Sequence, residues 1–230
     1  AHAPTLGRRG ESVPYSLRHD DPRTAAMNTH RAVVIGGGPA GLMAAERLAE
    51  GGMVVDLYDR MPSVGRKFLL AGKGGLNLTH GEDFEAFVAR FAERHAEMKA
   101  LLLTFTPTML REWAAALGID TFIGSSGRVF PSDLKAAPLL RAWLQRLRRH
   151  GVRLHMRHRW LGWVEAGEGG TTATHRFATP QGEITVTAQA TVLALGGGSW
   201  SRLGSDGAWA EPLRVLGVDV SPLRPSNRCA

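Results

Sequence analysis

The run Val33-Val34-Ile35-Gly36-Gly37-Gly38-Pro39-Ala40-Gly41 constrains the fold of this chain more tightly than any other feature. Residues 32–35 are a short, continuous apolar segment, as a strand buried on both faces of a parallel sheet requires. Residues 39–50 carry a helical pattern that stops at Gly51-Gly52, and residues 53–58 form a second β-rich run. A G-x-G-x-x-G string is weak evidence alone, but between the strand and the helix of a βαβ unit it reads as a dinucleotide-binding turn. In that reading Gly36 permits the tight turn, Gly38 lets the backbone approach a pyrophosphate, and Gly41 lets the helix pack close to the strand. The phosphates then meet the positive helix N-terminus at Pro39 and Ala40. Asp59, 23 residues after Gly36, is expected to accept hydrogen bonds from ribose hydroxyls, and an acid there disfavours a 2′-phosphate.

Such a turn does not separate FAD from NAD, but the segment after the ribose acid does. Residues 61–80 are long, Gly-rich and cationic, where a simple NAD domain would enter its next helix. A flavin dinucleotide lies extended and needs backbone donors and positive charge beyond the first βαβ unit. Arg66, Lys67 and Lys73 are candidates to supply charge to the phosphates or to the N1 edge of a reduced flavin. Asn77 and Thr79 are candidate partners of the ring or ribityl chain, with Gly74 of the same loop beside them. A third apolar run, residues 191–195, ends in Gly196-Gly197-Gly198. Placed beside the first strand, it brings Ala194 and these glycines to the carboxyl edge where open α/β sheets bind ligands.

The rest of the chain fills out an α/β fold. Phe84, Phe87, Val88 and Phe91 share one helical face, and Thr106-Pro107 opens a helix with Leu110, Trp113, Ala114 and Leu117 as its apolar stripe. These helices read as an insertion. Residues 138–150 predict a further helix carrying Leu140, Trp143, Leu144 and Leu147 on one face. Arg141, Arg146, Arg148 and Arg149 are assigned to its solvated face, and Arg153, Arg157 and Arg159 follow. Residues 152–155 predict a parallel strand, and residues 160–165, 172–179 and 183–187 an antiparallel three-stranded excursion.

Net charge is +7, which admits nucleic acid, an anionic surface or a phosphorylated ligand as partner. The charged helix face carries no interleaved aromatic residue to stack bases, so nucleic acid is not expected. The lone Cys229 excludes an internal disulfide or a Cys-x-x-Cys redox pair, so redox chemistry falls to a bound cofactor. No run approaches the roughly 20 apolar residues of a membrane-spanning helix, and a cytoplasmic location is expected. Residues 1–29 are polar, without periodicity, and read as a flexible leader. No metal-ligand set is expected.

The stretch from Ala32 to about Asn227 resembles the YhiN-type (BaiN/RdsA-like) flavoproteins, a family of NAD(P)/FAD-dependent oxidoreductases. The matching motifs are Gly65-Arg66-Lys67-Phe68-Leu69, residues 71–80, Gly127-Arg128-Val129-Phe130-Pro131 and Leu195-Gly196-Gly197-Gly198-Ser199-Trp200. The resemblance implies a glutathione-reductase-like FAD-binding Rossmann domain, a parallel sheet with an antiparallel β excursion and a helical insertion. It also implies flavin contacts at residues 36–41, Asp59, Arg66, Lys67, Asn77 and residues 196–198. On this basis the chain divides into a leader (1–29), a βαβ unit with its cationic loop (30–80), a mainly helical insertion (81–130), the remainder of the FAD domain (131–210) and the start of a closing segment (211–230). Family members continue past Pro225-Ser226-Asn227, which implies a truncated chain. The expected function is hydride transfer through FAD to a small-molecule substrate. NAD(P)H is the expected transient donor, and one branch of the family is associated with ene-type reduction. An RNA-binding flavoprotein, suggested by the Arg-rich region, and an inactive nucleotide-binding fragment remain the alternatives. No side chain is assigned as acid or base; His80 is the nearest titratable residue by sequence.

Overall fold

The apolar run at residues 31–35 is the strand β1 (Arg31–Ile35), buried on both sides of a parallel sheet in the computed structural model, which describes residues 30–164 and 172–224. The chain continues through α1 (Pro39–Glu50), β2 (Val54–Asp59), α2 (Arg66–Ala71), β3 (Thr79–His80), α3 (Phe84–Ala89), α4 (His95–Thr104) and α5 (Pro107–Ala115). It then forms β4 (Thr121–Ile123), β5 (Arg128–Pro131), α6 (Ala136–Arg149), β6 (Arg153–Met156), β7 (Arg159–Trp163), β8 (Ala173–Thr179), β9 (Gly182–Ala188), β10 (Ala190–Leu193) and α7 (Ala210–Val215). The parallel sheet has the order β10-β1-β2-β6, so the strand order reverses at β1. The expected α/β architecture, a parallel sheet with an antiparallel excursion and inserted helices, is the one observed. The leader, Cys229 and the end of the strand expected to reach Glu165 lie outside the described residues.

Alternation along the strands splits the core in two. Ala32, Val34, Val55 and Leu57 face α1, α5 and α6 through Leu42, Ala45, Trp113, Leu139, Trp143 and Leu147. Val33, Ile35 and Tyr58 face the excursion β7-β8-β9, meeting Phe177, Val186 and Ala188. Tyr58 is stacked between His155 and Phe177, each ring centroid 4.4 Å away. Both faces of the parallel sheet are thus covered, as its continuous apolar strands demand.

Three expectations are corrected. The cationic segment after residue 64 is not a loop throughout. Gly65 donates its N–H to the Gly37 carbonyl (2.8 Å) and packs under Leu140, and α2 follows with Gly72 against Ala136. This docking onto α6 supplies a helix that the glycine content hides. The insertion is mainly helical, and beside its helices β3, β5 and β4 form a small antiparallel sheet of their own. Helix α3 stops at Ala89, so Phe91 meets Phe87 edge-on (5.9 Å) just beyond its end. Arg146 does not belong to the solvated face of α6: its guanidinium donates to Glu46 at 2.9 Å, and its side chain is only 13% exposed.

Glu46 itself is fully buried on α1 and also accepts the indole N–H groups of Trp113 (3.2 Å) on α5 and Trp143 (2.6 Å) on α6. One carboxylate therefore pins three helices. On the other face Asp56 accepts from Arg31 Nε (2.8 Å), Arg153 (2.6 Å) and His155 Nε2 (2.7 Å), tying β1, β2 and β6. Burial works against its ionisation, but the bonds from His155, Arg153 and Arg31 outweigh it and hold the Asp56 carboxyl below the usual range. His175 bridges the two sheets. Its Nδ1 accepts from Trp160 Nε1 (3.2 Å), so its Nε2 carries the hydrogen and donates to Thr191 Oγ1 (2.7 Å).

Burial pushes the His175 imidazole from 6.5 down to about 4. Above pH 6.5 the ring is neutral whether the chain is folded or not; between 6.5 and about 4 only the unfolded chain takes up the proton. Stability therefore falls as pH drops through that window, by up to about 3 kcal/mol, and this loss levels off below it. Urea unfolding at intervals across the window should show this slope, and His175→Gln should flatten it. Removing the carboxylate with Glu46→Ala strands a buried guanidinium and two indole donors, and urea unfolding should read a loss of about 3 to 5 kcal/mol.

Candidate dinucleotide-binding cleft

Four close approaches build the floor of a cleft at the carboxyl ends of β1, β2 and β10. Gly36 has φ +113°, and a Cβ there would collide with the carbonyl oxygen of Ala194. A Cβ on Gly41 would collide with the Gly36 carbonyl. A Cβ on Gly37 would strike Val64, and its N–H donates to Asp59 Oδ2 (2.6 Å). The N–H of Ala194 closes the set by donating to Ile35 O (2.8 Å). Gly38 differs: it caps α1 in an extended conformation, and a Cβ there would meet nothing within 4 Å. Its open side faces space rather than protein, at the end of α1 where first-turn N–H groups have no intrahelical partner.

The cleft encloses about 760 Å³, a volume suited to an organic cofactor. Gly36, Gly38, Pro39, Ala40, Asp59, Arg66, Lys67, Ala194 and Gly196 all line it. Gly41 packs beneath the turn instead. Gly74, Asn77, Thr79, Gly197 and Gly198 are not part of the lining: Gly74 and Asn77 are exposed, and Thr79 is paired with Val129 in the small sheet. Gly197 instead accepts a hydrogen bond from Ser205 Oγ (2.7 Å). His80 is held by the Ser126 carbonyl (3.1 Å) and also lies outside the cleft.

Both oxygens of Asp59 already hold backbone, Oδ2 at Gly37 and Oδ1 at the Met61 N–H (2.7 Å). Each oxygen keeps a lone pair for a further donor. Burial raises the Asp59 carboxyl above the usual range, against the pull of those N–H groups and of Arg60 and Arg66. Lys67 Nζ is held by Ser199 and Ser205 hydroxyls, each at 3.1 Å.

The opposite wall was not legible as a site. Residues 203–206, Trp209, Pro212 and Leu213 line the cleft together with His158 of the turn before β7 and Trp160 and Leu161 of β7. Arg60 anchors this wall through Asp206 (2.6 Å) and the Ser201 carbonyl (3.3 Å), and Arg60 holds the Asp206 carboxyl below its usual range. Gly204 and Gly207, both at positive φ, were the available signal, since they mark close turns behind the Gly-rich strand end. Two buried donors on the lining, Arg66 Nε and Trp209 Nε1, have no hydrogen-bond partner among the described residues.

Among solved structures the chain is similar to a flavocytochrome c3 fumarate reductase in its open conformation, with 16% identity, a TM-score of 0.56, and coverage of 81% of this chain and 38% of that one. It is similar to THI4 of Thermovibrio ammonificans, with 17% identity, a TM-score of 0.54, and coverage of 86% and 67%. It is also similar to the 3-ketosteroid-Δ4-(5α)-dehydrogenase of Rhodococcus jostii RHA1, with 16% identity, a TM-score of 0.54, and coverage of 79% and 49%. At these identities the likeness concerns the fold alone, and the chain spans between about a third and two thirds of the length of the structures it matches. No curated protein matches it. Among the described residues no helix is long and apolar enough to cross a membrane. The profile of the HI0933-like protein Rossmann domain matches residues 30–224, and the chain belongs to that family.

Proposed function

We propose that the cleft binds FAD and that the protein is an FAD-dependent oxidoreductase of the cytoplasm, acting on a small-molecule substrate with NAD(P)H as transient reductant. The observation that carries this reading is the convergence, in one cleft at the switch point of the sheet, of the open Gly38 cap of α1 with two buried donors that lack partners. A buried donor left unpaired costs about 1 to 3 kcal/mol, so Arg66 Nε and Trp209 Nε1 favour a ligand rich in acceptor oxygens. FAD fits that requirement, and when bound it supplies two-electron hydride chemistry.

The chain's own residues then divide the work. The N-terminus of α1, with Gly38, Pro39 and Ala40, holds the pyrophosphate. Asp59 accepts from the adenosine ribose with the lone pairs its backbone bonds leave free. Arg66 and Lys67 balance phosphate charge, Lys67 being positioned by Ser199 and Ser205. Ala194 and Gly196 offer backbone at the end of β10. Gly74, Asn77, Thr79, Gly197 and Gly198 stay as contacts on the strength of the motif resemblance, which also favours the YhiN-type members of its family. Ene-type reduction is the narrower activity that placement implies.

The purified protein should be yellow, with bands near about 375 and 450 nm, and anaerobic NADH or NADPH should bleach it. Colourless protein that takes up no added FAD opposes the proposal. Gly38→Val places its Cβ on the open side of the cap, where no protein atom lies within 4 Å. It should weaken FAD binding by roughly a hundredfold or more while lowering the urea midpoint of the flavin-free protein only by the small cost of a poorer N-cap. Gly41→Val collides with the Gly36 carbonyl and should lower that midpoint as well.

A further inference from the structure

The geometry points to His158 as the residue that reads the nucleotide base, selecting a 6-aminopurine over a 6-oxopurine; this rests on the dinucleotide reading of the cleft. The turn between β6 and β7 is bound to the end of β2. Arg157 N–H donates to the Met61 carbonyl (3.1 Å), and His158 N–H donates to the Asp59 carbonyl (2.9 Å). His158 is thereby held beside the carboxylate assigned to the ribose, and the base joined to that ribose falls within reach of this turn.

The hydrogen-bonding role of the ring follows from its one hydrogen-bond partner among the described residues. Nδ1 lies 2.8 Å from the Met156 carbonyl oxygen, which can only accept, so Nδ1 carries the hydrogen. In the neutral ring Nε2 is then an acceptor. Nε2 has no hydrogen-bond partner among the described residues and belongs to a half-buried residue that lines the cleft. The ring leans on Tyr58 at a centroid distance of 5.5 Å, which limits its rotation. Leu161, Pro212 and Leu213 line the same cleft where α7 packs on β7. A flat base among apolar side chains, with one acceptor at its edge, is matched by the exocyclic amine of adenine. A 6-oxopurine would set its carbonyl oxygen against the Nε2 lone pair, a repulsive element that sharpens the choice.

Calorimetric titration of the flavin-free protein with ADP and with IDP tests this directly. ADP should bind roughly tenfold more tightly than IDP, the effect of about one hydrogen bond. His158→Phe keeps a ring against Tyr58 but removes the acceptor, and should bring ADP down to the level of IDP. His158→Gln restores an acceptor and should recover part of the preference. Equal affinities in the unaltered protein, or a preference that survives His158→Phe, would overturn the assignment while leaving the nucleotide site standing. If neither nucleotide binds, the dinucleotide reading falls and the assignment to His158 falls with it.

Discussion

The close approach of backbones around residues 36–41 is the constraint on which the rest of the molecule depends. Gly36 lies against the Ala194 carbonyl, Gly41 against the Gly36 carbonyl, and Gly37 against Val64. Any side chain at these positions would push β1, α1, β10 or the entry to α2 apart. The same absence of side chains that lets four segments converge leaves Gly38 open to the outside. Packing and ligand access are thus two consequences of one steric fact: where glycines meet protein they bring strands and helix together, and where one meets nothing it leaves room for a ligand.

Around this turn the fold is held by buried polar groups as much as by apolar burial. Glu46, Asp56 and His175 are each fully buried, and each joins elements that are distant in sequence. Glu46 binds α1 to α5 and α6, so one helix of the insertion and α6 are locked to the helix whose N-terminus opens the cleft. Asp56 fixes the registry of β1, β2 and β6, and His175 fastens the antiparallel excursion to β10 through Thr191. Such groups are tolerated inside a protein only when their partners are in place, so they specify this arrangement more sharply than apolar contacts of equal area. Asp56 and Asp59 lie on one strand yet shift in opposite directions. Asp56 has three cationic or imidazole donors to offset burial, whereas Asp59 leans mainly on backbone N–H groups.

The cleft has one rigid wall and one fastened wall. The rigid wall is the edge of the parallel sheet and the start of α1. The fastened wall, residues 199–213, is drawn across by Arg60 at Asp206 and by Lys67 at Ser199 and Ser205. Two cations that follow Asp59 in sequence therefore act first as ties between cleft walls. Their charge is part of the architecture before any ligand is considered. Arg146 and Arg153 are likewise spent on Glu46 and Asp56.

What the sequence alone determined is local. The βαβ unit, the roles of Gly36 and Gly41, the apolar stripes of α5 and α6, and the antiparallel excursion all follow from periodicity, capping and the steric demands of glycine. Those signals act over a few residues and survive without tertiary context. Only the tertiary structure decided the helix α2, the small sheet of the insertion, the burial of Arg146 and the second wall of the cleft. Each depends on partners far apart in the chain: Arg146 on Glu46 across 100 residues, and Arg60 on Asp206 across 146. A cation written in sequence carries no sign of whether it will meet solvent, a carboxylate or a ligand, because that choice is made by the packing that brings the partner to it.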